Sequence, residues 1–334
     1  MTADASTHAI DSHAGARALS NAATAAAHAP SIHNTQPWRW RLTYNELDLY
    51  LDHSRSLEVT DPDSRLAILS CGAALHHALV SLAADGWYAI LAQLPSPEHP
   101  DHLAQLRLGR RIPVEPAAIR HLQSIGLRHT DRRPTLDTPL DADRLRSIAA
   151  VAESAGAGLH LLSADQVYDL ATAADHAQRT ETGEAAWQSE LAYWTGGTRP
   201  LGSGIPDAAI PDHVPRTTVP SRDFGHHGDL PTSEGHDHSA AFAILYGPQD
   251  SQLDWLRAGQ ALSAAWLTAT ELGVSVLPLS ATIEVAATRK SMRHLLADLG
   301  YPCLVLRFGT PDPADPEVPR APRLSPEQII ERVT

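Results

Sequence analysis

Ala29-Pro30-Ser31-Ile32-His33-Asn34-Thr35-Gln36-Pro37-Trp38-Arg39-Trp40 carries the reading of this chain. Upstream, residues 13–28 are alanine-rich and read as a helix, which Pro30 ends because proline disfavours helix in the residue before it. Downstream, Trp38, Trp40 and Leu42 alternate with polar residues, and Leu47, Leu49 and Leu51 do the same. That spacing predicts two strands around Tyr44-Asn45-Glu46. Two prolines therefore bracket a short polar loop between a helix and a strand. Ser31, Asn34 and Gln36 carry a hydroxyl and two amides. Such groups suit the polar edge of a planar heterocycle, and equally the capping of nearby backbone groups.

Working outward, an apolar-striped helix is predicted over 63–85, closed by Gly86, then a strand over 87–91 and another element from 103. A proline-broken linker at 110–116 divides a first half, 15–116, from a second, 117–325. The second half opens with a helix over 142–154, a strand over 158–162 and a helix over 164–180. From 194 to 238 glycine, proline, histidine and aspartate dominate and no period survives. So long a stretch without regular structure exceeds ordinary connections. Residues 196–238 read as a lid or a disordered insertion, with glycines at 196, 197, 202 and 204 for adjustment. Ile205, Ile210, Val214, Val219 and Phe224 are its apolar anchors. A strand over 241–246, a helix over 251–272 and a strand over 303–308 follow. The tail 311–326 holds six prolines and must run extended.

The two long helices resemble each other. Gly72-Ala73-Ala74-Leu75-His76-His77-Ala78 and Gly259-Gln260-Ala261-Leu262-Ser263-Ala264-Ala265 keep glycine, alanine, leucine and alanine in step, and the offset of 187 residues continues to Gly86 and Gly273. Small residues on one stripe let helices approach closely. The order helix, strand, long helix ending in glycine, strand recurs in both halves, which points to an internal duplication.

Composition narrows the function. With 334 residues there is room for one large core or two smaller ones. No uninterrupted apolar run approaches the ~20 residues needed to span a bilayer, and no signal-peptide pattern opens the chain. The net charge of −13 argues against a nucleic-acid partner. Lys290 is the only lysine beside 25 arginines, which reflects genome composition rather than function. Cys71 and Cys303 lie in apolar surroundings and read as buried thiols of a cytoplasmic protein. Dinucleotide-fold, Walker, nucleophile-elbow and zinc-protease fingerprints are all missing from the sequence. His226, His227, His236 and His238 with Asp229, Glu234 and Asp237 have metal-ligating chemistry. In so polar a segment they read as lid surface, and no metal ligand is assigned.

Two further motifs have the chemistry of a binding site. Arg128-His129-Thr130-Asp131-Arg132-Arg133-Pro134 places three arginines within six residues. Forked guanidinium groups clamp phosphate well, although the same cluster also fits a solvated surface. Leu277-Pro278-Leu279-Ser280-Ala281-Thr282 follows the second long helix as a strand leading into a loop.

The stretch 30–40 resembles the Pro-Ser…Asn…Gln-Pro-Trp signature of the flavin-dependent nitroreductase family. His33-Asn34-Thr35-Gln36-Pro37-Trp38-Arg39-Trp40 is similar to its actinobacterial Acg-type branch. The resemblance extends over most of 15–325. It implies an α+β, nitroreductase-like fold, internally duplicated as a fused dimer, with a long lid or insertion. It also implies one FMN in a cleft between the halves. Pro30, Ser31, Ile32, Asn34 and Gln36 would form one wall. Arg128, Thr130 and Arg132 match the Arg-x-Ser/Thr-x-Lys/Arg element that grips the ribityl phosphate, with Arg133 less tied to it. Pro278, Leu279, Ser280 and Ala281 match the loop facing the flavin N5 side, although Ser280-Ala281 stands where many members carry Glu-Gly. Gly300-Tyr301-Pro302 matches a family strand, and Arg320 or Arg323 would complete the clamp. The implied activity is NAD(P)H-dependent reduction of nitroaromatic or quinone-like acceptors. The alternative is a flavin-holding protein whose lid limits turnover. No side chain need act as acid or nucleophile, so no catalytic residue is assigned. The implied partners are a nicotinamide and a small aromatic acceptor. The assembly is a monomer with pseudo-dimeric halves or a homodimer.

Overall fold

The computed structural model describes residues 12–196, 199–232, 236–315 and 318–333. Helix α1 (Ser12–Ala26) leads through the Pro30 loop into β1 (Trp38–Leu42) and β2 (Glu46–Leu51), followed by α2 (Arg65–Ala84), β3 (Trp87–Gln93) and β4 (His102–Arg111). Helix α3 (Pro116–Leu127) then precedes α4 (Ala142–Ser154), β5 (Gly158–Leu161), α5 (Ala164–Gly183) and α6 (Ala185–Thr195). After the lid come β6 (Ala241–Gly247), α7 (Gln252–Glu271) and β7 (Ser275–Leu279). Next are α8 (Ala281–Glu284), α9 (Ala286–Leu295) and β8 (Tyr301–Gly309). The chain closes with α10 (Pro326–Ile329) and β9 (Ile330–Arg332).

The strands form two sheets, ordered β3-β4-β2-β1-β9 and β5-β6-β8-β7. Read from the other edge, the second runs β7-β8-β6-β5, so its strands occupy the places of β3, β4, β2 and β1. Every one of these pairings is antiparallel; only β9 joins in parallel, beside β1. Each sheet packs its own core: Trp38, Trp40, Leu47 and Leu49 on one side, Phe242, Ile244, Val305 and Phe308 on the other. In β1 the alternation is complete, with Trp38, Trp40 and Leu42 buried and Arg39 and Arg41 exposed.

The two halves meet along α2 and α7. A Cβ at Gly72 would collide with the Leu256 carbonyl, and one at Gly259 with the Leu69 carbonyl while lying 2.8 Å from Gly72 Cα. One turn further on, His76 Nδ1 lies 2.8 Å from Ser263 Oγ, again a partner 187 residues away. A residue that touches its own counterpart sits on a two-fold axis, as in an isologous dimer interface. Gly86 and Gly273 end their helices with φ of +75° and +67°, the left-handed region that favours glycine. Helix α2 has the length and apolarity of a membrane span, but 83% of its most apolar window is buried inside the protein.

The duplication is lopsided. Residues 43–45 join β1 to β2, whereas the matching connection from β5 to β6 contains α5, α6 and the whole lid. Conversely, the Pro-Ser loop separates α1 from β1, while only residues 155–157 separate α4 from β5. A turn that short has no room for a second Pro-Ser loop.

Sequence patterns missed α3, α6, α8 and α9. Helix α3 begins at Pro116, the residue that looked like the end of a linker; proline at the first helical position needs no hydrogen-bond partner. In α6, Ala185-Ala186-Trp187-Gln188-Ser189-Glu190 lacks a single apolar stripe. The tail beyond residue 325 returns to the first half as β9.

Substituting alanine at Gly72 or Gly259 forces the central helices apart. Each variant is expected to lose about 1–3 kcal/mol of stability by overpacking. Urea unfolding measures it, and wild-type midpoints would show that the backbones do not touch there.

Candidate active site

A cavity of about 280 Å³ opens between the halves, at the lower end of the size range of small-molecule sites. Its apolar walls come from α2 (Leu66, Leu69) and α7 (Leu262, Trp266), and lid residues Ile205, Pro206, Ala209 and Phe224 cover it. Segments that are remote in sequence converge here: 30–34, 128–132, 277–282 and 319–323. Of the residues expected in the site, Pro30, Ser31, Ile32, Asn34, Arg128, Thr130, Arg132, Pro278, Leu279, Ser280, Ala281, Arg320 and Arg323 all line it.

Gln36 does not, and this corrects the reading of the loop. Its amide is wholly buried, donating to the Gly202 carbonyl (2.7 Å) and accepting from the Leu324 N–H (3.0 Å). Asn34 lines the cavity, but its amide is equally engaged: Nδ2 donates to Gly204 O (3.0 Å) and Pro322 O (2.9 Å), and Oδ1 accepts from Arg323. Ser31 Oγ accepts the Gln36 N–H at 3.0 Å. The polar side chains of the loop thus bind protein backbone, tying the lid and the C-terminal tail to the first half. The tie holds the backbone in left-handed conformations at His33, Asn34 and Gln36 (φ 45°, 55° and 55°).

One end of the cavity is cationic. Arg128 stacks on Trp266, 4.6 Å from the ring centroid. Arg128 (3.1 Å) and Arg323 (3.3 Å) both donate to the His28 carbonyl, which gathers the two guanidinium groups. The Nε atoms of both are buried without a hydrogen-bond partner. Burial, then Arg323, pushes Arg128 down to about 9, and burial pushes Arg323 down to about 10. The exposed Arg320 completes the group, and burial, followed by the three arginines, holds the His28 imidazole below its ordinary value.

Arg132 stands elsewhere. It lies 5.4 Å from the centre of the Phe224 ring and donates to the Ala209 carbonyl, and burial and Arg222 lower it to about 10. Spacing in the motif suggested that Arg128 and Arg132 share one ligand group. Their neighbours place Arg128 with Arg323 and Arg132 towards the lid. Arg133 faces away from the cavity, buried against Asp131 at 2.8 Å and near Asp315 at 3.5 Å.

The far side of the cavity contains a cluster that sequence reasoning missed. Arg222 of the lid reaches both carboxylate oxygens of Glu284 in α8 (2.7 Å each), Glu181 of α5 (3.2 Å) and His33 Nε2 (3.3 Å). These residues lie 41, 62 and 189 positions from Arg222, so no local pattern signals them. Burial raises Glu181 to about 7, whereas burial and then Arg222 and Arg132 hold His33 well below its ordinary value. Beside the cluster, the Thr282 hydroxyl is buried without a partner.

The lid's other root is fixed by Asp237, which accepts from the Thr135 N–H (2.7 Å) and pairs with Arg307 (2.7 Å), both carboxylate and guanidinium being buried. Arg307 also donates to the carbonyls of Asp131 and Arg133, so the lid root and the arginine segment are locked together. Among the described residues the lid histidines and acids form no metal-binding group; Gly197 and Glu234 lie outside those residues. His226 pairs with Asp207, and His236 Nδ1 contacts the Arg216 carbonyl. The lid also has a small apolar cluster of Ile205, Ala209, Ile210 and Phe224, and Val219 joins the larger core, whereas Val214, expected as an anchor, is exposed.

A Mycobacterium tuberculosis protein provisionally named NAD(P)H nitroreductase is 36% identical over 315 residues, covering 92% of this chain and 89% of its own length. The chain belongs to the nitroreductase family. A second M. tuberculosis relative, provisionally named NAD(P)H nitroreductase Acg, is 30% identical over 319 residues and 94% of both chains, which places the family member in the Acg-type branch. The solved FMN- and NADPH-dependent nitroreductase NfnB of Sphigopyxis sp. strain HMH is 16% identical, with a TM-score of 0.40 over 63% of this chain and 97% of that one. No family model matches.

Gln36→Ala removes one tie between lid, tail and first half, leaving a buried backbone N–H and C=O unpaired. About 1–3 kcal/mol of stability should be lost, with faster limited proteolysis between residues 199 and 232. Wild-type protease resistance would contradict the tie.

Proposed function

We propose that the protein is an FMN-dependent oxidoreductase that passes electrons from a nicotinamide to a nitroaromatic or quinone-like acceptor. The observation that carries this reading is the group of Arg128, Arg323 and Arg320 at one end of an apolar-walled cavity. Two of the three have buried guanidinium nitrogens without a partner. Buried cations of that kind need an anion, and a terminal phosphate supplies one. The walls of Leu69, Leu262 and the 277–282 loop suit a flat aromatic ring. FMN supplies the redox chemistry when bound. Arg128, Arg323 and Arg320 would hold its phosphate, with Thr130 alongside and Arg132 nearer the lid. Ser31, Ile32 and the backbone of Pro278, Leu279, Ser280 and Ala281 orient the ring, and Asn34 holds Arg323. The lid, described over residues 199–232 and 236–238, would exclude water from the reacting atoms.

Two measurements test this. Purified protein should absorb near ~450 nm, the ordinary flavin band, and release one FMN per chain; two FMN, or FAD, would contradict the single phosphate-ended cavity. Arg128→Ala and Arg323→Ala should each weaken FMN binding by roughly 2–5 kcal/mol, the cost of truncating one partner of a buried charge pair. Wild-type affinity in both by fluorescence titration would sink the clamp.

A second reading, a flavin-holding protein of low turnover, is favoured by the fastening of the lid. Arg132–Ala209, Asn34–Gly204, Gln36–Gly202 and the Arg222 cluster all bind it down. Replacing residues 199–232 with a short Gly-Ser connector separates the two readings in stopped-flow reduction by NADPH. A tenfold or greater acceleration, on the order expected when a lid gates access, supports restricted turnover. An unchanged rate supports an open enzyme.

A further inference from the structure

Among the described residues, Glu181 is the only carboxylate that lines the cavity. It also lines, with His33 and Arg222, a small hollow on the α6 side, so it stands between the cavity and the outer layer of the protein. The charges around it do not balance. Arg222 is within reach of two carboxyl groups, and both oxygens of Glu284 lie 2.7 Å from it while Glu181 lies at 3.2 Å. The closer grip matches the guanidinium to Glu284, and Glu181 is the carboxyl left over. His33 is held neutral by burial and its arginine neighbours and supplies no second positive charge. Arg132, next to Arg222, shares the field of Asp131 with Arg133, which binds Asp131 directly and has Asp315 as a second partner at 3.5 Å. The other elements packed on α5 offer no substitute. On α6, Glu190 binds Val59 and Thr60; on α9, Arg289 pairs with Asp250 and Arg293 with Asp298. Asp61, a further buried carboxyl within electrostatic reach of Glu284, adds to the negative side, so these carboxyls around one guanidinium reach neutrality only by carrying protons. Burial raises Glu181 accordingly, to about 7.

We propose that Glu181 holds a proton at neutral pH and donates it to the acceptor reduced in the cavity. The inference rests on the oxidoreductase reading above. For a quinone the step balances simply. The acceptor takes a hydride, two electrons with one hydrogen, from the nicotinamide-reduced flavin. The Glu181 O–H bond breaks as a new O–H bond forms on the acceptor oxygen. Hydroquinone leaves, and the carboxylate recovers its proton from water. Glu284 is a positioning residue whose negative charge, with burial, favours the protonated carboxyl, and Arg222 aims that carboxyl while pulling its titration the other way. Activity in this step should be full below neutrality and fall as pH rises through the Glu181 titration, because the acid form is the donor.

The test reads the proton directly. Infrared difference spectra of the purified protein between about pH 5 and pH 9 should contain a protonated-carboxyl C=O band that disappears near neutrality, as linkage to a raised carboxyl requires. Asp61, which burial also raises to about 7, contributes to the same region, so Glu181→Gln should remove the Glu181 share of the band and leave the Asp61 share. In Glu284→Gln the Glu181 share should disappear at lower pH, because Glu181 then becomes the sole match for Arg222. In single-turnover kinetics, Glu181→Gln should slow oxidation by a quinone roughly 100-fold, the usual scale of general-acid catalysis, while reduction by NADPH changes by less than about twofold. A band of undiminished amplitude in Glu181→Gln, or quinone oxidation at the wild-type rate in that variant, overturns the proposal. The infrared result holds for protein with or without flavin, so a failure of FMN binding is told apart from a failure of the proton donor.

Discussion

The structure depends on the close approach of two helices that are equivalent to each other. Gly72 and Gly259 let the backbones of α2 and α7 touch, and any side chain at either position meets a carbonyl oxygen of the other helix. Contact between a residue and its own counterpart fixes a two-fold relation between the halves, and with it the cleft. The sheets follow from that arrangement, since each packs its apolar face on one side of the helix pair. The cavity lies where α2 and α7 expose Leu66, Leu69, Leu262 and Trp266 beside the pair.

Two-fold symmetry alone would make two such cavities. The chain breaks it in two places. Only the first half has a long loop between its leading helix and first strand; the second has residues 155–157. Only the second half expands its first hairpin into two helices and a lid. The surviving loop is then bound to the lid through Asn34 and Gln36, and through the same two side chains to the tail at Pro322, Arg323 and Leu324. Loop, lid and tail form one assembly, and the arginine that gathers beside Arg128 arrives on that tail.

How much of this was legible in the sequence depended on whether the governing physics is local. Proline punctuation at Pro30, alternation at Trp38 and Trp40, and the glycine register at offset 187 are properties of short stretches, and each led to the observed element. The Pro-Ser and arginine motifs located two of the segments that line the cavity. What escaped is long-range. The side chains of Asn34 and Gln36 have chemistry that suits a ligand or a backbone equally, and only folding brings Gly202, Gly204 and Leu324 into reach. Arg128 and Arg132 are four residues apart, yet the turn after α3 sends them to different neighbours. The Arg222–Glu181–Glu284 cluster unites three elements with no shared motif. Helix α3 was hidden because Pro116 closes one reading and opens another.

A crystal structure of the protein bound to FMN tests the central claim most directly. The account predicts one flavin per chain, its phosphate hydrogen-bonded to Arg128 and Arg323, and its ring between the Pro30–Asn34 loop and residues 279–282, under the lid. A flavin held between two copies of the chain, or two flavins related by the internal two-fold, would contradict it.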